Sequence, residues 1–115
     1  MIEIKREPNG VLVVNKHIGP TSHDIVNKIR RLYGTKKVGH TGTLDPMAEG
    51  VLVILIGRAA KAAEYLATDS KKYRATLRLG IETDTQDVTG EILREYDGEL
   101  PFAESVYETC RRFVG

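Results

Sequence analysis

Gly39-His40-Thr41-Gly42-Thr43-Leu44-Asp45-Pro46-Met47-Ala48-Glu49-Gly50 runs directly into Val51-Leu52-Val53-Ile54-Leu55-Ile56, a glycine-rich connection followed by the longest apolar run of the chain. The apolar run, rich in Val and Ile and stopped by Gly57-Arg58, suits a strand. The connection before it is too long and too glycine-rich for a simple turn. Connections of about 12 residues without regular structure are uncommon inside compact domains and often carry function. Pro46 biases Asp45 toward extended geometry and fixes the direction of the chain after it, so one carboxylate is held at a defined place.

Upstream, Gly10–Asn15 (GVLVVN) suits a buried strand, and Gly19-Pro20 turns the chain. Thr21 with Asp24 three residues on has the form of a capping box. Ile25, Ile29, Leu32 and Tyr33 then recur at helical spacing up to Gly34, a natural stop. Downstream, Ala59–Ala67 reads as a short helix, and Lys72–Leu79 (KYRATLRL) alternates as a half-exposed strand with Tyr73, Ala75, Leu77 and Leu79 on one face. Thr83–Gly90 (TDTQDVTG) is turn chemistry, Glu91–Tyr96 a further strand, and Phe102–Phe113 a final helix. Strands and helices mix without a strict βαβ rhythm. The expected fold class is therefore α+β, with a mixed, mainly antiparallel sheet and flanking helices.

A chain of 115 residues with 41% apolar content has the length of one domain and would bury roughly 65% of its unfolded surface on folding. No stretch approaches the roughly 20 apolar residues of a membrane span. Charged residues from Glu3 to Glu7 interrupt any signal-like start, so a cytoplasmic setting is expected, with no membrane partner. The single Cys110 can form neither an internal disulfide nor a thiolate metal site. The net charge of +1 hides an asymmetry: residues 1–62 hold ten Lys/Arg against five Asp/Glu, and residues 63–115 hold seven against eleven. A polyanion would meet the first half, which carries Lys16, Lys36, Lys37, Arg58 and Lys61, unless these form only an ordinary solvated face.

The loop itself combines Asp45 with the imidazole of His40, and Lys36 and Lys37 just before it would suit a phosphate backbone. It lacks the Gly-Lys-Ser/Thr ending of a nucleoside-triphosphate loop. An Asp-Pro pair is also a common turn initiator, so these residues alone do not decide between a turn and a catalytic carboxylate. Asp84 and Asp87 do not continue as a calcium loop and read as turn formers; no metal is expected.

Gly39–Pro46 closely resembles the catalytic loop of the tRNA pseudouridine synthase B family. The resemblance extends to Gly19-Pro20-Thr21-Ser22, Gly57-Arg58-Ala59-Ala60-Lys61, Lys72-Tyr73, Leu79-Gly80 and Thr83-Asp84-Thr85-Gln86-Asp87 with Gly90, and so covers nearly everything from Gly10 to Gly115. The Thr-Asp-Thr segment resembles the bacterial branch that acts alone, not the related subunit that works with guide RNAs. What the resemblance implies is isomerisation of the T-loop uridine at position 55 of tRNA to pseudouridine, with the tRNA T-arm as partner and no metal or organic cofactor. It makes Asp45 the catalytic carboxylate, as nucleophile at the sugar or base or as the base that takes a sugar proton. Tyr73 would stack on the flipped uracil, His40 would fill the space the base leaves, and Lys16, Lys36, Lys37, Arg58 and Lys61 would meet the RNA.

Two departures accompany the resemblance. His17 stands where the family usually has proline, which loosens the turn before Gly19-Pro20. The chain also stops at Gly115, before the family's later Gly-Thr-Tyr-Ile-Arg segment and C-terminal RNA-binding domain. Residues 1–115 are thus expected to be a partial catalytic domain, with Asp45 lacking its arginine partner and one side of the sheet uncovered. Self-association or a complementing C-terminal segment would follow, and the alternative to an enzyme is an RNA-binding fragment of the same family without turnover.

Overall fold

The structure, a computed structural model, describes residues 6–66 and 70–115. They fall into two compact units, one ending at Lys71 and one beginning at Lys72. In the first, β1 (Gly10–Lys16), α1 (Ser22–Tyr33), β2 (Val38–His40) and β3 (Gly50–Ile56) are followed by a 3-10 helix, Gly57–Ala62, and α2 (Ala63–Leu66). The sheet has the order β1-β3-β2 and is antiparallel throughout, with Lys16 opposite Gly50, Gly10 opposite Ile56 and His40 opposite Ile54. The α+β class expected from the sequence is the class observed.

Local chemistry explains α1. The Thr21 hydroxyl accepts from the Asp24 amide at 3.0 Å, and the Asp24 carboxylate accepts from the Thr21 amide at 2.9 Å. This reciprocal box satisfies two donors that the first turn would otherwise leave orphaned. Gly34 ends the helix in the left-handed region, φ 63°, where a Cβ is costly. Ile25, Val26 and Ile29 point from α1 onto Val38, Leu52, Ile54 and Ile56, joined by Leu44 from the loop. Leu52 and Ile54 are 1% and 0% exposed, and each such side chain stabilises by about 1.5–3 kcal/mol.

Several local expectations change. Leu32 and Tyr33 stay exposed, and the last turn of α1 is fastened to β2 by Arg30, whose guanidinium donates to the Val38 carbonyl at 3.2 Å. β1 is an edge strand and not a buried one: Leu12 and Val14 face α1, while Val11 and Val13 on the opposite face are 59% and 63% exposed. The long connection is shorter than its sequence suggests, because Val38–His40 pairs with β3. In place of one helix over Ala59–Ala67 the chain makes a 3-10 turn and then α2; Ala67 lies outside the described residues.

The second unit contains β4 (Ile81–Thr83) paired antiparallel with β5 (Ile92–Glu95), and α3 (Ala103–Arg111). Glu82 faces Arg94 across the strands, and their side chains form an ion pair. Residues 72–79, expected as a strand, form none, since no strand among the described residues lies beside them to take up the backbone hydrogen bonds. No described residue of this unit is buried, and the core cluster lies within the first unit.

Candidate functional site

Asp45 sits in the connection between β2 and β3, at the end of the sheet where Lys16 pairs with Gly50. Its side chain is exposed, and the carboxylate has no hydrogen bond or ion pair to any described residue. The backbone on both sides of it is held firmly. Before it, the Leu44 amide donates to the Ser22 hydroxyl at 2.9 Å, and that hydroxyl donates back to the Leu44 carbonyl at 3.1 Å. After it, the Pro46 carbonyl accepts from the Gly19 amide at 2.8 Å and from the Lys16 ammonium at 3.3 Å. The Asp45 carbonyl closes a turn by accepting from Ala48 at 2.9 Å. Gly19 makes its bond from φ 121°, a conformation that side-chain-bearing residues rarely adopt.

Lys16 corrects the sequence reading. Its side chain is 0% exposed, and its three ammonium donors go to the carbonyls of His17 (2.9 Å), Pro20 (2.9 Å) and Pro46 (3.3 Å). A phosphate cannot reach it. An ammonium is tolerated inside because three carbonyls replace its water, which no count of basic residues reveals. Lys16 is a tie between the Gly19-Pro20 turn and the Asp45 loop. Ser22, 1% exposed, is a residue without a role in the sequence reading beyond its place in the Gly19-Pro20-Thr21-Ser22 motif. The available signal was that Thr21 already caps α1, which leaves the next hydroxyl free for a distant partner.

His40 ends β2 opposite Ile54, on the α1 side of the sheet, so it is a strand residue and not part of the loop proper. Its Nδ1 is buried without a hydrogen-bond partner among the described residues. Lys36, Lys37, Arg58 and Lys61 are exposed, and Lys37 and Arg58 lie at the other end of the sheet, where Val38 pairs with Ile56. There the Gly57 amide donates to the Lys37 carbonyl at 2.7 Å, and the Arg58 amide donates to Asn9 Oδ1 at 2.6 Å. Lys37 approaches Glu7 only at 4.0 Å, with both side chains largely in solvent, so the pair contributes little. The seven residues of β3 separate this basic end from the Asp45 end by about 20 Å. The structure thus brings Lys16 to the Asp45 loop, places the Lys71 ammonium against Gly42 of the same loop, and keeps Lys37 and Arg58 at the far end of the sheet.

Tyr73 belongs to the second unit, 66% exposed and outside any strand, so it is not a core residue in step with Ala75 and Leu77. In the same unit the Thr83–Gly90 turn is closed by its own carboxylates. Asp84 accepts from the Glu91 amide at 2.9 Å; Asp87 accepts from the Thr85 hydroxyl at 2.7 Å and the Thr89 amide at 2.9 Å. Donation from Thr89 and Thr85 holds the Asp87 carboxyl below the usual carboxylate range.

Asp45 is thus an unpaired carboxylate on a loop whose backbone is hydrogen-bonded on both sides, a group chemically able to act as a nucleophile or a base. Residues 30–115 match the family described as TruB family pseudouridylate synthase (N terminal domain), and the chain belongs to that family. It is 60% identical over 104 residues to a tRNA pseudouridine synthase B of Bacillus licheniformis, covering 90% of this chain and 34% of that one. To proteins of the same name it is 58% identical in Alkaliphilus oremlandii (93% and 36% covered) and 51% in Geotalea uraniireducens (93% and 34% covered). The chain spans about a third of the length of the curated relatives it matches. No helix among the described residues is long and apolar enough to cross a membrane.

Proposed function

We propose that these residues form the N-terminal part of the catalytic domain of a tRNA pseudouridine synthase that converts the T-loop uridine at position 55, with Asp45 as the catalytic carboxylate. The carrying observation is the exposed, unpartnered Asp45 side chain between two backbone segments that are each hydrogen-bonded on both strands of the loop. In the reaction the bond between the ribose C1′ and N1 of uracil breaks, the base turns, and C1′ bonds to C5. The C5 proton leaves to solvent and N1 gains one, so no oxidant or reductant is consumed. Asp45 serves as nucleophile at the sugar or base, or as the base that takes a sugar proton.

The target nucleotide has to leave its stack first, at a cost of a few kcal/mol. The exposed Tyr73 ring is suited to offset part of it by stacking, which contributes about 1–3 kcal/mol per base. His40 is assigned to the space the base vacates. Lys36, Lys37, Arg58 and Lys61 are assigned to T-arm phosphates, and the setting is the cytoplasm, where tRNA is handled.

The test is release of tritium from tRNA labelled at C5 of uridine. It is run with this chain and with a chimera that joins it to the remaining two thirds of the Bacillus licheniformis relative. Asp45→Asn keeps the shape of the side chain and removes its basic, nucleophilic oxygen. Release by the chimera should vanish with Asp45→Asn while tRNA binding persists. Multiple turnover by the Asn variant would remove Asp45 from the chemistry, and binding without release by every form would favour an RNA-binding role.

A further inference from the structure

We propose that Ser22 is a positioning residue for Asp45: its buried hydroxyl, acting with the Gly19 amide and the Lys16 ammonium, brackets the backbone of the loop so that the carboxylate is aimed without being touched. The inference rests on the reading of Asp45 as the catalytic carboxylate. A side chain that bonded to the Asp45 oxygens would orient them, but it would also occupy the lone pairs that the reaction uses. Orientation through the backbone avoids that conflict. The loop shows this arrangement, since among the described residues the hydrogen bonds to Leu44, Asp45 and Pro46 all end on main-chain atoms and none ends on the carboxylate.

Ser22 is suited to the task for a local reason. It opens α1, where serine commonly turns its hydroxyl back onto the helix's own amides. Here the Thr21 hydroxyl already holds the Asp24 amide, so the Ser22 hydroxyl is released from capping. It reaches instead across 22 positions of sequence to Leu44, donating to the carbonyl and accepting from the amide of that one residue. A hydroxyl has one donor and two acceptor sites, so this single group serves both polar atoms of a residue that is itself buried. Leu44 packs in the core with Ile25, Val26 and Leu52, so its side chain and its backbone are fixed by different partners. Removing the hydroxyl leaves the apolar anchor in place and frees the peptide groups that lead into Asp45.

The experiment compares the full 115-residue chain with its Ser22→Ala and Thr21→Ala variants. Thr21→Ala weakens the same helix start but leaves the bracket intact, so it isolates a general loss of stability. Amide hydrogen exchange is read at Leu44, Leu52 and Ile54. In the unaltered chain Leu44 should exchange at least tenfold more slowly than Thr43. Ser22→Ala should cancel that difference while Leu52 and Ile54 keep theirs, and Thr21→Ala should keep all three. The proposal is overturned if Leu44 exchanges as fast as Thr43 in the unaltered chain, a result that needs no variant to fold. It is also overturned if Ser22→Ala leaves Leu44 protected, or if both variants release it equally. In the turnover assay, Ser22→Ala in the chimera should slow conversion at saturating tRNA by about 10- to 100-fold, with the dissociation constant within about twofold, as expected for a misplaced catalytic group. Equal loss in binding and rate would overturn the positioning role. Full activity of Asp45→Asn would sink the functional reading, while the exchange data would still decide whether the bracket exists.

Discussion

Replacing Lys16 by Met tests whether a buried ammonium can be the tie that the geometry describes. Met has nearly the same length and is adaptable in cores, so the change removes three donors with little change of volume. Two of the three acceptors, the carbonyls of His17 and Pro20, lose the only side-chain donor they have, whereas the Pro46 carbonyl keeps the Gly19 amide. A buried acceptor left unpaired costs about 1–3 kcal/mol. His17 is exposed and Pro20 half-buried, so water takes up part of that cost and the expected loss is about 1–2 kcal/mol. An opposing effect exists, because the variant no longer strips water from a charge, and that desolvation can reach several kcal/mol. We expect the loss to prevail, since all three donors are satisfied in the folded chain and the ammonium therefore recovers most of what it gave up.

Urea unfolding measures the balance. With a slope of about 2 kcal/mol per molar for a small protein, the midpoint should fall by roughly 0.5–1 M. The signal should come from the amides of Leu52 and Ile54, which report the first unit alone. Lys16→Arg should not restore stability, because a planar guanidinium cannot aim its donors at three carbonyls arranged around a compact ammonium. A midpoint that is unchanged or higher in Lys16→Met would mean that charge desolvation outweighs the three bonds, and the tie would be no source of stability.

Tyr73→Ala should cost about 1–3 kcal/mol in single-turnover conversion through lost stacking; Tyr73→Phe should retain the activity unless the hydroxyl moves a proton, and a folded Ala variant at full rate would exclude the ring from the site. Replacing Lys36 or Lys37 should make the slope of log affinity against log salt shallower by about 0.7–0.9 per lost phosphate contact, while Arg94→Ala, in the second unit, should leave it unchanged. Acid should release the α1 cap and the Thr83–Gly90 turn together with their carboxylates. Hydrogen bonds from the Thr21 backbone and hydroxyl lower the pKa of Asp24, and those from Thr89 and Thr85 lower that of Asp87. Depressed carboxylates contribute stability that is complete above the ordinary Asp value of 3.8 and is lost as pH falls through their lower folded values. The Thr21 and Thr89 amide shifts should therefore titrate with midpoints below that of an Asp in an unstructured peptide, and midpoints at or above it would contradict the cap geometry.

How much of this was legible depends on how local the causes are. The start and end of α1 could be read directly, because Thr21, Asp24 and Gly34 act within one turn of where they stand. β2 could not: Val38-Gly39-His40 has a glycine at its centre and only three residues, and it is a strand solely because β3 lies beside it. The alternation of Lys72–Leu79 is the converse case, a strand pattern without a partner strand. Asp45 was legible as a candidate through its motif. That its carboxylate forms no ion pair with a described cation was not, since that is a property of neighbours. Lys16 shows the sharpest failure: as a residue type it reads as a solvated charge, and only carbonyls one to 30 positions away make it an interior group.

The sheet then sets what the two kinds of site residue can do. Asp45 and its bracket lie at one end of β3 and the exposed cations Lys37 and Arg58 at the other, about 20 Å apart. At that distance the cations cannot stabilise charge at a reacting sugar, because separations beyond the roughly 8–10 Å screening length are largely lost in physiological salt. Their reach is instead comparable to the length of about six base pairs at ~3.4 Å each. A single unstacked nucleotide cannot touch both ends, but a helical arm with the target in its loop can. Under the proposed function this separation divides the labour, with Lys37 and Arg58 contributing affinity at one end and Asp45, whose carboxylate is paired with no described cation, contributing the chemistry at the other.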